Sequence, residues 1–220
     1  MDTALWNRRL AGRAAKPLLF LVCLLPAAWL VLAAATAQLG ANPAEALIRS
    51  TGDWTLRMLC LVLAVTPLRV LLRLPALLRL RRMLGLYVYF YALLHLLCYA
   101  VFDMGLDPGD IARDIAKRPF ILVGFSAFVV LTPLAATSWN GAIRRLGATR
   151  WQLLHRAVYG VAVLAILHFF WMRAGKNNFA DVQLYAAVLA TLLGWRVWAA
   201  VSAQRTRAAV GGQGGDRRLR

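Results

Sequence analysis

The chain contains three histidines, and each of them lies in a strongly apolar part of the sequence. His155 and His168 lie in the segment WQLLHRAVYGVAVLAILHFFW (151–171), and His95 lies in the apolar run 83–102. Membrane segments tolerate few ionisable side chains, and those that they retain usually have a function. Since neutral imidazole is a good ligand for haem iron, the pattern predicts haem binding within a bilayer.

The rise of a helix indicates which histidines could share one iron. At about 1.5 Å per residue, His95 lies about 18 Å and His168 about 24 Å above the inner ends of their apolar runs. By the same measure, His155 lies only about 4–5 Å up its own run. The two ligands of one iron must lie at similar depth, so we pair His95 with His168. His155 then belongs to a second, inner site or to none.

Helical rotation raises a question about His155 and His168. At about 100° per residue, their separation turns an ideal helix by about 220°, so the two side chains face different directions. A shared bundle interior then requires a bend between them, or two haems approached from different sides. Both alternatives stay open at the level of sequence.

Less specific interpretations apply to the same residues. A histidine within a membrane can hydrogen-bond between helices, and His155 next to Arg156 can lie among lipid headgroups. Aromatic side chains near the outer pair could enclose a porphyrin or form an interfacial belt; these are Tyr91, Tyr99, Phe169, Phe170 and Trp171. Candidate partners for haem propionates are Arg81, Arg82 and Arg156 on the inner side, and Arg118 and Arg173 on the outer side.

The composition indicates a membrane protein. Of the 220 residues, 61% are hydrophobic, whereas roughly half is usual for a soluble domain. The net charge of +17 alternates with apolar blocks, and no zinc-ligand spacing or basic aromatic groove is present, which argues against nucleic-acid binding.

Six apolar segments are long enough to cross a bilayer as helices. They are residues 17–37, 54–72, 83–102, 120–136, 152–171 and 182–201. The sequence therefore predicts an all-α membrane protein with a six-helix transmembrane bundle at 17–201. We expect a cytoplasmic N-terminal segment at 1–16 and a disordered cytoplasmic tail at 202–220.

Charge predicts the orientation of the bundle. One set of connecting segments holds 19 basic residues and two acids, and the other holds seven of each. By the positive-inside rule, both termini are cytoplasmic. On the opposite side, residues 107–118 predict a short surface helix capped by Asp107, with Pro108 at its first position and Ile111 and Ile115 on one face. This helix could be a solvated loop element or a docking surface for an external partner.

Three segments resemble the haem-binding membrane subunits of bacterial periplasmic methionine sulfoxide reductase systems. They are RRMLGLYVYFYALLHLLCYAVFD (81–103), KRPFILVGFSAFVVLTPLAATS (117–138) and LGATRWQLLHRAVYGVAVLAILHFFW (146–171), preceded by GANP (40–43). The resemblance implies a b-type cytochrome of the bacterial inner membrane, distantly similar to ferric reductases and NADPH oxidases. Electrons would pass from quinone or a cytosolic flavin reductase to a periplasmic molybdenum-cofactor reductase, which forms a heterodimer with the subunit and repairs oxidised proteins. FMN is also associated with this family.

The resemblance assigns roles to the histidines. His95 and His168 match the ligands of the outer haem, and His155 matches the histidine assigned to the inner haem. The wider superfamily has a second inner histidine 14 residues before the first ligand, and here that position is Arg81. The resemblance therefore implies one or two haems, in an electron-transfer subunit rather than a catalytic one.

Two alternatives compete with this interpretation. A stand-alone ferric or quinone reductase usually has a nucleotide-binding domain, and no G-x-G-x-x-G follows a strand in this sequence. A haem-free transporter or assembly factor could use the histidines as proton relays. We expect no Asp or Glu within the spans to complete such a relay.

Overall fold

The computed structural model describes residues 2–174 and 179–216, and the regular structure in these ranges is helical. The helices are α1 (Thr3–Ala11), α2 (Ala15–Ala35), α3 (Pro43–Leu71), α4 (Arg81–Cys98), α5 (Pro108–Lys117), α6 (Pro119–Ala136), α7 (Asn140–Leu146), α8 (Ala148–His155), α9 (Val158–Ala174) and α10 (Ala180–Asp216). A 3₁₀ turn spans Pro75–Arg79, and a π-helical turn at Tyr99–Asp103 extends α4.

Six of the described helical segments are long and apolar enough to cross a membrane. They correspond to the six predicted segments, which confirms the all-helical class and the number of candidate spans. We call the end of the bundle that carries α5 the outer end, and the end that carries α1 and α7 the inner end. That the inner end is cytoplasmic stays a prediction.

The second span begins earlier than the sequence predicted. Helix α3 starts at Pro43, where the side chain of Asn42 accepts a hydrogen bond from the Glu45 N–H at 3.1 Å. Its first turns carry charged side chains, so hydropathy alone placed the start at residue 54. As a consequence Glu45 and Asp53 lie inside α3, in its outer half. Because α3 is longer than the roughly 20 residues that cross a bilayer core, the absence of acids within the membrane stays a prediction.

The sixth helix extends further than predicted. Helix α10 continues past the predicted span end at residue 201 to Asp216, and residues 217–220 lie outside the described ranges. A disordered cytoplasmic tail at 202–220 stays a prediction. Extending an existing helix costs much less than nucleating a new one, and Ala203, Gln204 and Arg205, which directly follow the span, are good helix formers.

The fifth span is interrupted immediately after His155. Helix α8 ends there, and α9 begins at Val158. The connecting turn is tighter than an α-helix, since the Ala157 N–H donates to the Leu154 carbonyl and the Tyr159 N–H donates to the Arg156 carbonyl, both at 3.0 Å. A bend between His155 and His168 was one of the two alternatives left open by their helical rotation.

Side chains replace backbone hydrogen bonds where proline interrupts the helices. In α2, which contains Pro26, the buried Tyr91 hydroxyl donates to the Cys23 carbonyl at 2.7 Å and accepts from the Ala27 N–H at 3.2 Å. It thereby bridges two groups that would pair directly in an uninterrupted helix. These contacts attach α2 to α4.

A second proline in α3 has the same consequence. Pro67 has no N–H for the carbonyl of Leu63, four residues earlier. The Arg196 guanidinium of α10 donates to that carbonyl at 2.6 Å and to the Leu192 carbonyl at 3.0 Å. Arg196 thus joins α10 to α3 in the inner half of the bundle.

Candidate haem site

His95 of α4 and His168 of α9 lie next to each other in the outer half of the bundle. Their ring centroids are 6.1 Å apart, and the ring planes are inclined by 76°. The depth estimate from the sequence predicted this pairing, and the structure brings the two residues together. His155 lies elsewhere, at the inner end of the fifth span.

A backbone carbonyl fixes the orientation of each ring. His95 Nδ1 lies 2.8 Å from the Ile48 carbonyl oxygen, and His168 Nδ1 lies 2.6 Å from the Phe120 carbonyl oxygen. A carbonyl oxygen only accepts hydrogen bonds, so Nδ1 carries the proton in both rings and Nε2 keeps its lone pair. This is the usual arrangement of metal-binding histidines, whose second nitrogen donates to a carbonyl or carboxylate.

The separation of the two rings suits a shared iron. Metal–nitrogen bonds to histidine are about 2 Å long. Two imidazoles that bind one ion from opposite sides therefore have centroids about 6 Å apart, which agrees with the observed 6.1 Å. The residues present fit a haem ligated by two histidines.

Two glycines allow the rings to lie against neighbouring helices. A Cβ atom on Gly52 of α3 would lie 3.1 Å from His95 Cε1, and one on Gly124 of α6 would lie 2.7 Å from His168 Nδ1. Sequence reasoning missed both residues. The available signal was an isolated glycine within an apolar helix, which often marks a close approach of another group.

A cavity of about 560 Å³ lies between α3, α4, α6 and α9, and both histidines line it. Its inner part is lined by four buried aliphatic side chains, which we call the floor. Each floor residue lies seven positions, or about two helical turns, from Gly52, His95, Gly124 or His168 on the same helix. The floor consists of Leu59, Val88, Leu131 and Val161. The cavity is thus closed by hydrocarbon on its inner side.

The outer rim of the cavity is polar. The charged or hydroxyl-bearing residues that line it there are Glu45, Arg49, Asp53, Tyr99, Asp103 and Arg118. Arg49 forms an ion pair with Glu45 at 2.5 Å, and Arg118 forms one with Asp114 at 2.8 Å. Arg118 was predicted from the sequence, but Arg49 was not.

Arg173, also predicted, lies just outside this lining. Its guanidinium lies over the Phe169 ring at 5.4 Å and contacts Asp181 at 3.3 Å. Its Nε is buried and has no hydrogen-bond partner among the described residues. A buried N–H donor without a partner is costly, and a carboxylate reaching it from the cavity would remove that cost.

The three inner arginines that were predicted as propionate contacts do not line this cavity. Arg81, Arg82 and Arg156 belong to the inner end of the bundle, where the Arg82 guanidinium donates to the Asn140 side chain at 2.8 Å. Only a second, inner haem could use them.

His155 differs from the other two histidines in its hydrogen bonds. Its Nδ1 lies 3.0 Å from the Trp151 carbonyl oxygen, and its Nε2 lies 3.2 Å from the Leu134 carbonyl oxygen. The Trp151 ring stacks on the imidazole with centroids 3.9 Å apart. Both nitrogens therefore lie beside carbonyl oxygens. A neutral imidazole has one N–H and donates to only one of them, so its other nitrogen faces an oxygen, whereas Nε2 of His95 and of His168 faces no such group among the described residues.

Four of the five predicted aromatic residues divide into two groups, whereas the fifth, Tyr91, is buried against α2. Tyr99 and Phe169 line the cavity, as do Phe120, Phe125 and Phe128, which were not predicted. Phe170 stacks instead on Phe179, and Trp171 is exposed. The wall of the cavity is therefore partly aromatic, whereas the exposed rings suit an interfacial belt.

Comparison with known proteins identifies the family to which the chain belongs. Residues 51–166 match the family model described as a ferric reductase like transmembrane component. The chain belongs to this family. The matched region includes His95 and His155 and ends two residues before His168.

Curated relatives extend the similarity over most of the chain. A protein of Polaromonas naphthalenivorans, named protein-methionine-sulfoxide reductase heme-binding subunit MsrQ, is 74% identical over 84% of this chain and 84% of its own. Proteins with the same name from Ralstonia nicotianae and Xanthomonas euvesicatoria are 55% and 44% identical, over 91% and 89% of this chain and 92% and 91% of their own. No solved structure matches the chain.

Proposed function

We propose that the chain is the haem-binding membrane subunit of a methionine sulfoxide reductase system, with haem iron held between His95 and His168. One observation carries the proposal. Two imidazoles from different helices lie 6.1 Å apart in a shared cavity, and backbone carbonyls hold both Nδ1 atoms so that both Nε2 atoms remain free. The names of the relatives support the same function.

When bound, haem supplies one-electron chemistry, whose potential depends on its ligands and surroundings. The chain's own residues position and shield it. The Ile48 and Phe120 carbonyls orient the ligands, Gly52 and Gly124 allow the close fit, and the aliphatic floor keeps water away from the inner side.

The polar rim supports a propionate site at the outer end of the cavity. Arg49 and Arg118 approach from two sides, and each is held by a carboxylate four residues earlier. Charge-assisted hydrogen bonds to carboxylates are among the strongest that arginine forms. We therefore propose Arg118 and Arg49 as propionate contacts, with Arg173 Nε as a further donor.

An inner haem on His155 stays a prediction. Nε2 of His155 lies 3.2 Å from the Leu134 carbonyl oxygen, and an iron bound at Nε2 would have to take the place of that contact. The contacts favour a structural role, in which His155 joins α8 to the end of α6.

The direction of electron flow follows from the predicted orientation. With both termini cytoplasmic, the cavity lies in the periplasmic half of an inner-membrane protein. The acceptor is then a periplasmic molybdenum-cofactor reductase subunit, and the donor is quinone or a cytosolic flavin reductase. FMN is implied by the resemblance alone, and we assign it no contact residue.

The visible spectrum of the purified protein tests the proposal. Protein from haem-replete cells should show a Soret band, and reduction should sharpen the longer-wavelength bands of a b-type cytochrome. The ferrous protein should then be reoxidised by the purified catalytic subunit. A colourless preparation would exclude the cytochrome and favour the haem-free alternatives.

A further inference from the structure

We propose that α5 and the turn before it form the surface on which the electron-accepting protein docks. We call it the exit surface and define it as the exposed side chains of Phe102, Leu106, Asp110, Ala112, Arg113 and Lys117. The inference rests on the proposed function, because it assumes that an electron leaves haem held between His95 and His168.

The position of α5 relative to the cavity is the first argument. Ile115 lies on the face of α5 that lines the outer rim of the cavity. Arg118, the residue that follows the end of α5, lines the same rim. A helix with its side chains is about 10–12 Å thick. A protein on the opposite face of α5 would therefore be separated from the haem cavity by about one helix diameter.

The attachment of α5 to the histidine-bearing helix is the second argument. Tyr99 lies one helical turn beyond His95, and its hydroxyl donates to Asp114 Oδ2 at 2.8 Å. The other carboxylate oxygen of Asp114 pairs with Arg118 at 2.8 Å. Asp107 caps the start of α5 by accepting from the Gly109 and Asp110 N–H groups. These hydrogen bonds and the ion pair hold α5 rigid. A rigid exit surface lowers the entropic cost of binding a partner.

The third argument is the exposed apolar centre of this surface. Phe102 is 50% exposed and Leu106 is 60% exposed. Leu106 also has a positive φ of 61°, a conformation that is unfavourable for leucine. Its N–H donates to the Ala100 carbonyl at 2.8 Å, which holds it in that conformation. The chain thus keeps a large apolar side chain outward at a position where glycine or asparagine would be less strained.

The surroundings of Leu106 indicate the kind of partner. Exposed charges of both signs lie on either side of it in the sequence, at Asp103 before it and at Asp110, Arg113 and Lys117 on α5. An apolar centre with a mixed charged rim is typical of interfaces between folded proteins. The surface therefore fits a soluble redox protein with a small apolar patch above its cofactor.

The experiment compares reoxidation of the haem by two oxidants. Purified protein is reduced, excess reductant is removed, and the decay of ferrous absorbance is followed after addition of the purified catalytic subunit or of ferricyanide. We expect Leu106→Glu and Ala112→Arg to lower the second-order rate with the catalytic subunit by about tenfold. Haem content and the rate with ferricyanide should not change. The matched control is Leu146→Glu, which alters an exposed leucine at the inner end of the bundle and should change neither rate.

The possible results distinguish failure of the proposed function from failure of the exit surface alone. Wild-type protein that lacks haem, or whose haem the catalytic subunit does not reoxidise, would overturn the proposed function. Variants that keep haem and react with the catalytic subunit at the wild-type rate would overturn the exit surface and leave the proposed function intact. In that case Leu106 and Phe102 contact lipid. Because Ala112 is exposed on α5 and its substitution keeps a good helix former, the test does not depend on the Leu106 variant folding.

Discussion

At the outer end of the bundle, His95 and His168 each direct one ring nitrogen to a backbone carbonyl and keep the other free. At the inner end, His155 faces a carbonyl with each nitrogen. All three are partly buried histidines in apolar helices, so residue type and hydropathy do not separate them. The difference lies in the acceptors that the neighbouring backbone provides. A free lone pair, rather than a histidine in a membrane helix, marks a candidate ligand.

Four segments of the chain, which contain α3, α4, α6 and α9, can be compared at steps of seven residues. The outer level contains Gly52, His95, Gly124 and His168, and the floor contains Leu59, Val88, Leu131 and Val161. Seven residues further inward along the chain are Thr66 of α3, Arg81 of α4, Ser138 after the end of α6 and Leu154 of α8. The outer level thus combines two imidazoles with two glycines that make room for them. None of the four corresponding inner positions is a histidine.

Removing either outer ligand should produce the largest effect. We expect His95→Ala and His168→Ala each to remove most of the absorbance of haem held at the outer level, because each deletes one of the two imidazoles proposed to bind the iron. The haem-to-protein ratio after purification, measured as the pyridine haemochrome, checks this. His155→Gln is the internal comparison and should keep the wild-type ratio. If His155→Gln alone removed all haem absorbance, our assignment of the haem to His95 and His168 rather than to His155 would be wrong.

Filling the space beside the rings should give a graded loss. A Cβ at position 124 would lie 2.7 Å from the His168 ring, and one at position 52 would lie 3.1 Å from the His95 ring, whereas position 160 has nothing within 4 Å. Gly124→Ala should therefore lower the haem-to-protein ratio most, Gly52→Ala less, and Gly160→Ala not at all. Because Ala favours helix by about 1 kcal/mol over Gly, the control should be at least as stable as wild type. Equal haem contents in all three variants would contradict the close fit.

The two arginines of the polar rim, Arg49 and Arg118, should affect the reduction potential rather than haem retention. A unit charge about 10 Å from the iron contributes roughly 1–2 kcal/mol at an effective dielectric constant near 20. For a one-electron couple this is on the order of 50 mV. The positive charge of Arg49 stabilises the reduced haem. Its removal in Arg49→Gln should therefore lower the reduction potential. Arg118→Gln should have a smaller effect in the same direction, because its side chain is 54% exposed and screened by solvent.

Spectroelectrochemical titration measures these shifts, and α5 offers a matched control. Arg113 forms a similar local ion pair with Asp110 but does not line the cavity. Arg113→Gln should leave the potential near the wild-type value. A shift as large as that of Arg49→Gln would mean that general surface charge, rather than a propionate contact, sets the effect.

Much of the fold follows from hydropathy, because each span is long and apolar. The pairing of His95 with His168 also followed from helix rise, since depth depends only on residue count. Rotation about the helix axis is harder to predict, because it depends on packing between helices. For that reason Gly52, Gly124 and Arg49 were missed. The break after His155 was also not determined by sequence, since no proline or glycine marks it.

The smallest effect should come from removing the inner histidine. His155→Leu deletes the hydrogen bond that the imidazole N–H donates to the Trp151 or the Leu134 carbonyl, and the net loss for such a bond is about 0.5–1.5 kcal/mol. The Leu134 carbonyl keeps the Ser138 hydroxyl as a donor at 2.7 Å, so the loss should be at the lower end of this range. His155→Gln retains an N–H donor and should therefore lose less stability than His155→Leu. Thermal unfolding of the haem-loaded protein, followed by the loss of the Soret band, measures both variants. Two small decreases in Tm, with Leu below Gln and an unchanged haem ratio, are expected if His155 joins α8 to α6. A stable His155→Leu protein with half the wild-type haem would instead establish His155 as the ligand of a second haem.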